Sequence, residues 1–359
     1  MRFGVVGTGW RAEFFVRLGR LLPDVLTVTG LVSRNADRAA AVAAGWGTVG
    51  FGSAEELVAG TAPDFVISSV PWDANPAVLE QLVGLGVGVL SETPPAPDQA
   101  GLIALWDRLG DGGRVQVAEQ YALMPLHAAR LTAVRRGLIG TPTSVQISST
   151  HQYHAMALIR SFLGAGLGSA VVQGNRFRAP LLDPLDRNGW AADPGPREAA
   201  TTIASVDFGG VGMGLYDFTD NQWHNRLRSR RLVIRGSHGE IVDDTVTRWA
   251  GPERILRSPL LRWQSGYDLD LEGYDSESIV LDGEELWRNP FLGLRLSDEE
   301  IAILTLLVAT AAWSRQEGPP PYPLAEACHD HALALAVDES IGTGRPVELA
   351  AGPWGSSGS

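Results

Sequence analysis

A glycine-rich turn near the start of the chain restricts the possible folds more than any other feature of the sequence. Residues 2–6 form a short apolar run that predicts a buried strand, and an apolar-periodic helix is predicted to about residue 22. A second apolar run at 26–32 predicts the next strand. Between the first strand and the helix stands Gly7-Thr8-Gly9-Trp10-Arg11-Ala12. This G-x-G-x-x-G/A pattern in a strand–helix–strand setting indicates a dinucleotide site.

The residue types of this turn fit the chemistry of such a site. Gly7 permits the tight turn, and Gly9 has no Cβ, so a pyrophosphate can approach the backbone at the helix N-terminus. Ala12 is small enough for the helix to pack closely on its strand. We expect residues 7–12 together to form the cofactor-binding turn.

The end of the second predicted strand distinguishes between the two nicotinamide cofactors. An acidic residue there would bind the ribose 2′-hydroxyl of NAD, but the chain has Ser33-Arg34, with Arg38 one helical turn later and Arg11 in the first helix. A hydroxyl group and guanidinium groups suit a 2′-phosphate. The sequence therefore favours NADP(H) over NAD(H). In the alternative interpretation, Arg34 is a solvated loop residue and either cofactor binds.

Composition limits the partners and the compartment. The formal net charge of −12 argues against a nucleic acid or an anionic membrane as partner. With Cys328 as the only cysteine, no intrachain disulfide can form, which favours a reducing cytosol. Arg2 leads straight into the first strand, so we expect no signal peptide and a cytoplasmic protein. The apolar run at 301–313 is too short to span a bilayer and predicts a buried helix.

The basic residues of this chain are all arginines. The sequence contains 29 of them and no lysine. A codon bias of the genome is a sufficient explanation. Whatever its cause, it means that no mechanism of this chain can use a lysine ammonium group.

The predicted elements divide the chain into two domains. Strands and helices alternate through residues 1–120, and such alternation predicts a Rossmann domain with a parallel sheet and helices on both faces. From 121 to 352 most predicted strands lack intervening long helices, which predicts an α/β domain with a large, mostly antiparallel open sheet. We expect 181–197 to be a loop and 353–359 to be a disordered tail; 256–286 carries no assignable pattern.

Several short motifs, in this order and spacing, resemble the Gfo/Idh/MocA oxidoreductase family over nearly the whole chain. They are the glycine turn, Val70-Pro71 before the Asn75 helix, Ser91-Glu92-Thr93-Pro94, Ala118-Glu119-Gln120-Tyr121 with Pro125, Gly137-Leu138-Ile139-Gly140, His154 before Leu163-Gly164, Gly236-Ser237-His238-Gly239, and the segment 340–349.

The resemblance implies a nicotinamide cofactor lying along the ends of the parallel strands. The residues expected to bind it, beyond the glycine turn and the arginines after the second strand, are Ser69, Val70, Pro71, Trp72, Asn75, Glu92, Thr93 and Pro94. For Trp72 and Asn75 a plain helix entry is the alternative. The resemblance also implies a homodimer or homotetramer formed through the sheet of the second domain.

The departures from the family pattern concern its acid–base residues. Thr93 stands where the family has the lysine of Glu-Lys-Pro, and Ala157 and Thr150 stand where an aspartate is common. Of the usual lysine, aspartate and histidine set, only His154 remains. The cofactor half of the family pattern is therefore intact, while proton transfer must use other groups.

His154 is the first catalytic candidate, because an imidazole titrates near neutral pH, and Tyr121 is the second. The alternatives are a structural histidine at a helix start and a tyrosine that only lines the pocket. His151, Tyr153 and Trp223 are weaker candidates for substrate contact. If the preceding strand continued to His154, alternation would place His151 and Tyr153 on one face and His154 on the other.

Three functions remain open from the sequence. The first is an NADP(H)-dependent oxidoreductase that acts on a small carbonyl, imine or sugar-like substrate, with secondary metabolism as one setting. The second is a redox-neutral lyase, epimerase or glycosidase with a tightly held NAD(P), and the third is a non-catalytic NADP(H)-binding sensor. We predict no metal, because the spacing of His329 and His331 suits no helical metal face.

Overall fold

The first domain is built on a six-stranded parallel sheet. In the computed structural model, which describes residues 1–266 and 270–355, its strands run in the order β3-β2-β1-β4-β5-β6. These strands are β1 Arg2–Val6, β2 Thr27–Val32, β3 Gly50–Phe51, β4 Phe65–Ser68, β5 Gly88–Ser91 and β6 Val115–Val117. The predicted parallel sheet is confirmed.

Five helices alternate with these strands. They are α1 Trp10–Gly19, α2 Ala36–Gly45, α3 Ala54–Thr61, α4 Asn75–Gly84 and α5 Gln99–Leu109. Asn35, Ser53 and Asp98 cap α2, α3 and α5, because each side chain accepts a hydrogen bond from a backbone N–H in the first turn of its helix. The Glu56 side chain accepts a hydrogen bond from the backbone N–H of Gly52 at 3.0 Å.

The order of the strands creates a crevice at one edge of this sheet. From β1 the strand order proceeds to β2 and β3 on one side of the sheet, and from β4 it proceeds to β5 and β6 on the other side. Such a switch point between β1 and β4 leaves a gap at the carboxyl ends of the strands. Gly7, Ser69 and Glu92 are the first residues after β1, β4 and β5, so their segments meet there. The fold thus brings three distant motifs to one edge.

The second domain contains a nine-stranded sheet in the order β16-β15-β14-β13-β7-β12-β11-β8-β20. All neighbouring strands are antiparallel except β7 and β12, which are parallel, so the sheet is mixed rather than purely antiparallel. The strands are β7 Pro142–Ser148, β8 Ala170–Leu181, β11 Arg197–Asp207, β12 Met213–Thr219, β13 Arg231–Gly236, β14 Gly239–Val242, β15 Thr245–Trp249, β16 Ile255–Pro259 and β20 Val347–Leu349.

The other elements of the second half complete the description. The remaining strands are β9 Leu185–Asp186, β10 Gly189–Trp190, β17 Leu261–Ser265, β18 Asp275–Leu281 and β19 Glu284–Arg288; the helices are α6 Pro125–Arg135, α7 Gln152–Leu163, α8 Asp298–Ser314 and α9 Leu324–Thr343. Helices α7 and α9 cover one face of the nine-stranded sheet, since their apolar side chains share a core with it.

Three stretches of this domain contain strands that the sequence pattern does not predict, and the prediction of a loop at 181–197 is wrong. The run at 240–247 is two strands, because Asp243 takes a left-handed φ of 51° and turns the chain. The predicted loop at 181–197 contains the short hairpin of β9 and β10. The unassigned stretch at 256–286 holds β17, β18 and most of β16. Their alternation is weak because β16 and β17 expose apolar side chains, whereas β18 is buried on both faces.

Helix α8 returns to the first domain. Its residues Ile301, Leu304 and Leu307 are fully buried in one core with Phe3 and Phe15. A division at residue 120 therefore describes the chain order but not the packing, because an apolar helix from late in the sequence covers one side of the parallel sheet.

The predicted disordered tail is wrong at its start. Residues 353–355 form a short 3₁₀ turn, and the Trp354 side chain is 1% exposed, packed edge-on against Trp106 at 6.4 Å between ring centroids. A buried indole anchors this segment. Residues 356–359 lie outside the described part of the chain. Within the described residues, none of the helices combines the length and the apolar character needed to cross a membrane.

Candidate functional site

A cavity of about 1450 Å³ runs along the crevice of the first domain and ends against the second. The first domain contributes the glycine turn and the segments after β2, β4 and β5. The second domain contributes His151, His154, Trp223, His224 and Arg230. We call this cavity the interdomain cleft.

The glycine turn has the geometry that a pyrophosphate requires. Gly7 has a φ of 132°, and a Cβ there would lie 2.1 Å from the carbonyl oxygen of Ser69, so only glycine fits. At Gly9 the space around an added Cβ is empty to 4 Å. No side chain caps the N-terminus of α1, which leaves its backbone N–H groups available to an anion.

The segment after β2 places two arginines at one end of the cleft. Arg34 and Arg38 are exposed and line it together with Ser33, and Arg38 donates a hydrogen bond to the carbonyl oxygen of Thr8 at 3.2 Å. Their guanidinium groups have no carboxylate partner within the residues described by the structure. This end of the cleft can therefore accept a phosphate group.

Arg11 does not belong to this phosphate-binding group, contrary to the sequence-based expectation. Its guanidinium donates to Glu92 and to Glu299, both at 2.8 Å, and its side chain is 14% exposed. Two carboxylates thus occupy it, and they raise its pKa against the opposing effect of burial. Glu92 is in turn held by Arg11, so its second oxygen, which accepts from the Thr93 N–H at 3.1 Å, faces the segment after β5.

All of the predicted cofactor residues except Ala12 line the cleft, but the polar atoms of Asn75 are used within the protein. Ala12 is fully buried in the core beneath α1 and matches the packing role expected of a small residue. Asn75 is 2% exposed, and its amide accepts from Ser68 and donates to Ser91 and to the carbonyl oxygen of Pro95. Its polar atoms therefore tie β4, β5 and the next loop together rather than facing a ligand.

The remaining wall residues are placed as expected from the strand ends. Ser69, Val70, Pro71, Trp72, Thr93 and Pro94 all line the cleft. Trp72 is 59% exposed, so its indole projects over the opening. Thr93 stands beside the inner half of the cleft, where its hydroxyl can form hydrogen bonds but cannot replace an ionisable amine.

The inner end of the cleft contains a histidine–carboxylate pair. His154 in the first turn of α7 donates from Nδ1 to Oε2 of Glu119, which follows β6, and the two side chains are 7% and 2% exposed. The other oxygen of Glu119 accepts from the Tyr121 N–H at 2.9 Å, which fixes the carboxylate. This arrangement leaves Nε2 of His154 free to accept or donate a proton.

Glu119 was not among the predicted site residues. The available signal was its position directly after a buried parallel strand, where functional side chains collect. Its partner His154 lies 35 positions away in sequence, so the pairing itself depends on the fold.

Tyr121 and His154 are neighbours at this inner end. Their ring centroids are 4.4 Å apart with an interplanar angle of 30°, and both line the cleft. Burial raises the pKa of Tyr121, and the nearby carboxylate of Glu119 adds to this effect. The phenol is therefore protonated at neutral pH and can donate a hydrogen bond.

His151 and His154 lie on the same side of the chain, because the strand ends at Ser148 and the condition for alternation is not met. Helix α7 begins at Gln152 with His151 as its N-cap, so residues three apart share a face and the two rings are 4.7 Å apart. Trp223 packs edge-on against His151 at 4.8 Å. Desolvation by the surrounding protein and the adjacent His154 lower the pKa of His151, although its side chain keeps an exposed part at the cleft, so this imidazole is neutral at pH 7.

The prediction that Tyr153 contacts substrate is wrong. Tyr153 is 5% exposed and packs behind His154, with its ring 5.2 Å from that imidazole and 5.9 Å from His331. It belongs to the core that supports α7. Within the described residues no group of three or more His, Cys, Asp or Glu side chains could hold a metal ion.

A buried ion-pair network also holds α7 in place. Arg160 donates to Asp330 and to Glu326, each at 2.6 Å, and the Tyr322 hydroxyl donates to Asp330. Asp330 is fully buried, and burial raises its pKa to about 6 against the opposing effect of Arg160. This network joins α7 to α9 and so fixes the helix that carries His154.

Comparison with known proteins gives two kinds of similarity. Residues 1–120 match a family described as an oxidoreductase family with an NAD-binding Rossmann fold, Gfo/Idh/MocA. An inositol 2-dehydrogenase of Leifsonia xyli subsp. xyli is 34% identical over 101 residues. That alignment covers 28% of this chain and 30% of the relative, so this chain spans less than a third of the length of the curated relative that it matches.

Solved structures resemble the chain over nearly its whole length. An NAD binding oxidoreductase from Klebsiella pneumoniae has a TM-score of 0.71 at 14% identity, covering 98% of this chain and 99% of its own. An oxidoreductase from Agrobacterium radiobacter, in complex with NAD+, L-tartaric acid and magnesium, has a TM-score of 0.69 at 16% identity, covering 97% and 98%. A myo-inositol dehydrogenase from Corynebacterium glutamicum has a TM-score of 0.65 at 17% identity, covering 97% and 98%. These similarities extend the fold assignment to both domains.

Proposed function

We propose that this chain, whose residues 1–120 match the Gfo/Idh/MocA oxidoreductase family, is an NADP(H)-dependent oxidoreductase of a small carbonyl, imine or sugar-like substrate. The observation that carries the proposal is the continuity of the interdomain cleft. It runs without a break from the glycine turn and the two exposed arginines to Tyr121 and His154. A dinucleotide site and a proton-transferring site therefore share one cavity.

The residues of the cleft fit a nicotinamide dinucleotide. The uncapped N-terminus of α1 and the empty space beside Gly9 would hold the pyrophosphate. Trp72, Thr93 and Pro94 would border the nicotinamide half. A bound nicotinamide would supply or accept a hydride at its C4.

His154 is the proposed acid–base group. In alcohol oxidation its free Nε2 removes the proton of the substrate hydroxyl, and in carbonyl reduction the imidazolium returns that proton to the oxygen. Glu119 stabilises the imidazolium through Nδ1 and keeps the ring in the tautomer that can accept a proton at Nε2. The Tyr121 phenol donates a hydrogen bond to the same oxygen. Together these three groups replace the family lysine, whose position is occupied by Thr93.

The preference for NADP(H) is proposed from the segment after β2. Arg34 and Arg38 lack carboxylate partners among the described residues, and Ser33 rather than an acidic residue directly follows β2. Calorimetry with NADPH and NADH tests this directly. We expect NADPH to bind at least ~10-fold more tightly, and Arg34→Gln with Arg38→Gln to remove most of that difference, because each hydrogen bond to a charged phosphate contributes about 1.5–3 kcal/mol.

A homo-oligomer through the nine-stranded sheet is also proposed. On the face of this sheet that lies away from α7 and α9, Val171, Phe177, Ile203 and Leu215 are between 38% and 48% exposed. Exposed apolar side chains on a sheet face that no helix covers are a common feature of protein interfaces. Light scattering would detect the dimer or tetramer, and Phe177→Asp with Ile203→Asp should give monomers. The compartment we propose is the cytoplasm, consistent with a single buried, reduced Cys328.

The test of the enzymatic proposal uses purified protein, NADPH and a panel of carbonyl compounds and polyols. We expect cofactor binding, hydride transfer with at least one panel member, and a loss of turnover in His154→Ala with unchanged NADPH affinity. The proposal would be refuted if the protein bound neither NADPH nor NADH. Tight binding of a nucleotide without net redox turnover would favour the redox-neutral alternative instead.

A further inference from the structure

The interdomain cleft is positively charged in a chain that is strongly acidic. Among the described residues that line it are five arginines and two glutamates, which give a formal charge of +3 where the whole chain carries −12. Both glutamates, Glu92 and Glu299, are paired with Arg11. The cleft is therefore built to attract anions, and the cofactor accounts for only part of this charge.

Arg230 lines the cleft from the second domain, whereas the arginines proposed to bind the cofactor follow β2 of the first domain. It lines the cleft together with Tyr121, His151 and Trp223. Burial lowers the pKa of His127 to about 3, and the charges of Arg130 and Arg230 add to this effect; the ring centroid of His127 is 6.5 Å from that of Tyr121. The guanidinium of Arg230 is exposed and has no carboxylate partner among the residues that the structure describes.

The loop that carries Arg230 is held in place. Gln222 is 4% exposed and donates hydrogen bonds to the carbonyl oxygens of Ser148 and Ser229, at 2.8 and 2.9 Å. Ser148 ends β7 and Ser229 directly precedes Arg230, so one buried amide joins the start of the histidine segment to this arginine. Trp223 in the same loop packs against His151. Arg230 is thus positioned relative to the acid–base residues by buried contacts.

A second cation comes from the β9–β10 hairpin. Arg187 at the hairpin tip lies 4.6 Å from the ring centroid of Trp10 and lines the same cleft. Asn221 ties this hairpin to the Arg230 loop, because its amide donates to Asp183 and to the carbonyl oxygen of Leu185, both at 2.7 Å. His224 also lines the cleft in this region. The hairpin and the loop therefore form one basic rim beside the substrate space.

We infer that the substrate carries an anionic group, a carboxylate or a phosphate, and that Arg230 binds this group at the basic rim. This inference rests on the proposed function and specifies its substrate class, an acidic sugar or hydroxy acid rather than a neutral polyol. A planar guanidinium fork matches the oxygens of either anion, and the charge of Arg187 adds favourable potential. The bound anion would hold the reacting carbon of the substrate beside His154 and Tyr121.

The test compares matched neutral and anionic compounds on the protein saturated with NADPH or NADP+. The pairs are D-glucose with D-glucuronate and with D-glucose 6-phosphate, D-galactose with D-galacturonate, and glycerol with D-glycerate. Binding is measured by calorimetry, and turnover by the change in nicotinamide absorbance. We expect the charged member of at least one pair to bind at least ~10-fold more tightly, and comparison of glucuronate with glucose 6-phosphate separates a carboxylate site from a phosphate site.

Arg230→Gln should raise KM for the preferred anion by ~10- to 100-fold with little change in kcat or in NADPH affinity. Arg230→Lys should restore part of the loss, because it keeps the charge without the fork. The matched control is Arg257→Gln, which removes an exposed arginine of β16 outside the cleft lining. No preference for the charged member in any pair, or an equal preference in wild type and Arg230→Gln, would overturn the inference. If NADPH binds in those same experiments, the proposed function stands while the substrate class falls.

Discussion

Replacing Glu119 by glutamine should disable the acid–base pair while leaving the cleft intact. The carboxylate accepts one hydrogen bond from His154 Nδ1 and one from the Tyr121 N–H. A glutamine amide has one oxygen and one NH₂ group, so if its oxygen keeps the Tyr121 N–H, its NH₂ must face the imidazole. The ring then carries its proton on Nε2, which is the wrong tautomer for removing a proton from a substrate alcohol.

The size of this effect follows from what the pair supplies. General acid–base catalysis contributes about 10²- to 10⁴-fold, and loss of an orienting partner commonly costs about 10- to 100-fold. We therefore expect kcat of Glu119→Gln to fall about 10²-fold in the alcohol-oxidising direction, with NADPH affinity unchanged. Glu119→Asp, which keeps the charge, should retain more activity, and Glu339→Gln on the exposed side of α9 serves as the neutral control.

A double-mutant cycle makes this reasoning refutable. If Glu119 acts through His154, then adding Glu119→Gln to His154→Ala should cost no further activity, because the group that it orients has gone. Additive losses, or a wild-type kcat in Glu119→Gln, would show that the carboxylate does not act through the histidine. Thermal unfolding of each variant checks that a lost turnover does not reflect a lost fold.

Three further outcomes are expected from single substitutions. Gly7→Ala should destabilise the fold by at least about 2 kcal/mol, because its φ of 132° and a distance of 2.1 Å to the Ser69 carbonyl oxygen oppose a Cβ. Gly9→Ala, whose added Cβ has nothing within 4 Å, should leave the free energy of unfolding in denaturant unchanged and weaken NADPH binding. Equal stability losses in these two variants would contradict the geometry. Tyr121→Phe should lower kcat about 10-fold at constant NADPH affinity, because it removes one donor to the reacting oxygen; an unchanged kcat would remove the phenol from the mechanism. Because the pKa of Asp330 rises from 3.8 to about 6 in the folded protein, its contribution to stability is present below pH 4 and is lost as pH rises through about 6, by up to about 3 kcal/mol. Urea unfolding of wild type and Asp330→Asn at a series of pH values isolates this slope, and parallel curves for the two proteins would show that Asp330 titrates normally.

The local features of the fold were accessible from the sequence. The glycine turn, the Asn35 cap and the succession of strands in the first domain each depend on residues close together in the chain. The sequence also predicts which segments line the cleft, because parallel strands end at a common edge of the sheet. The likeness to whole solved structures agrees with the two-domain fold expected from the family motifs.

Contacts between residues far apart in the chain, and the partners of individual charged side chains, could not be predicted from the sequence. Arg11 was expected near a 2′-phosphate, yet Glu92 and Glu299, far away in sequence, occupy its guanidinium. Glu119 belongs to a recognisable sequence motif, but its partner His154 comes beside it only through the placement of α7 in the fold. A composition-based pattern gives residue types at a site but not which charges neutralise one another.

The start of α7 shows how a single boundary changes a functional interpretation. Period-two alternation would have separated His151 from His154, whereas a helix beginning at Gln152 brings them onto one face and sends Tyr153 into the core. Because helix boundaries are uncertain by a residue or two from sequence, candidate residues at a strand-to-helix transition cannot be sorted by alternation alone.

The absence of lysine has a physical consequence for the proposed mechanism. A lysine ammonium at position 93 would bring a positive charge beside the substrate, and the uncharged Thr93 cannot do so. The cleft instead obtains its positive charge from arginines, which remain protonated at every physiological pH and so cannot transfer a proton. Binding of charge and transfer of protons must therefore be divided between different residues. In this cleft Arg230 and Arg187 can do the first and His154 with Glu119 the second, which is why substitutions at Arg230 should change KM and substitutions at Glu119 should change kcat.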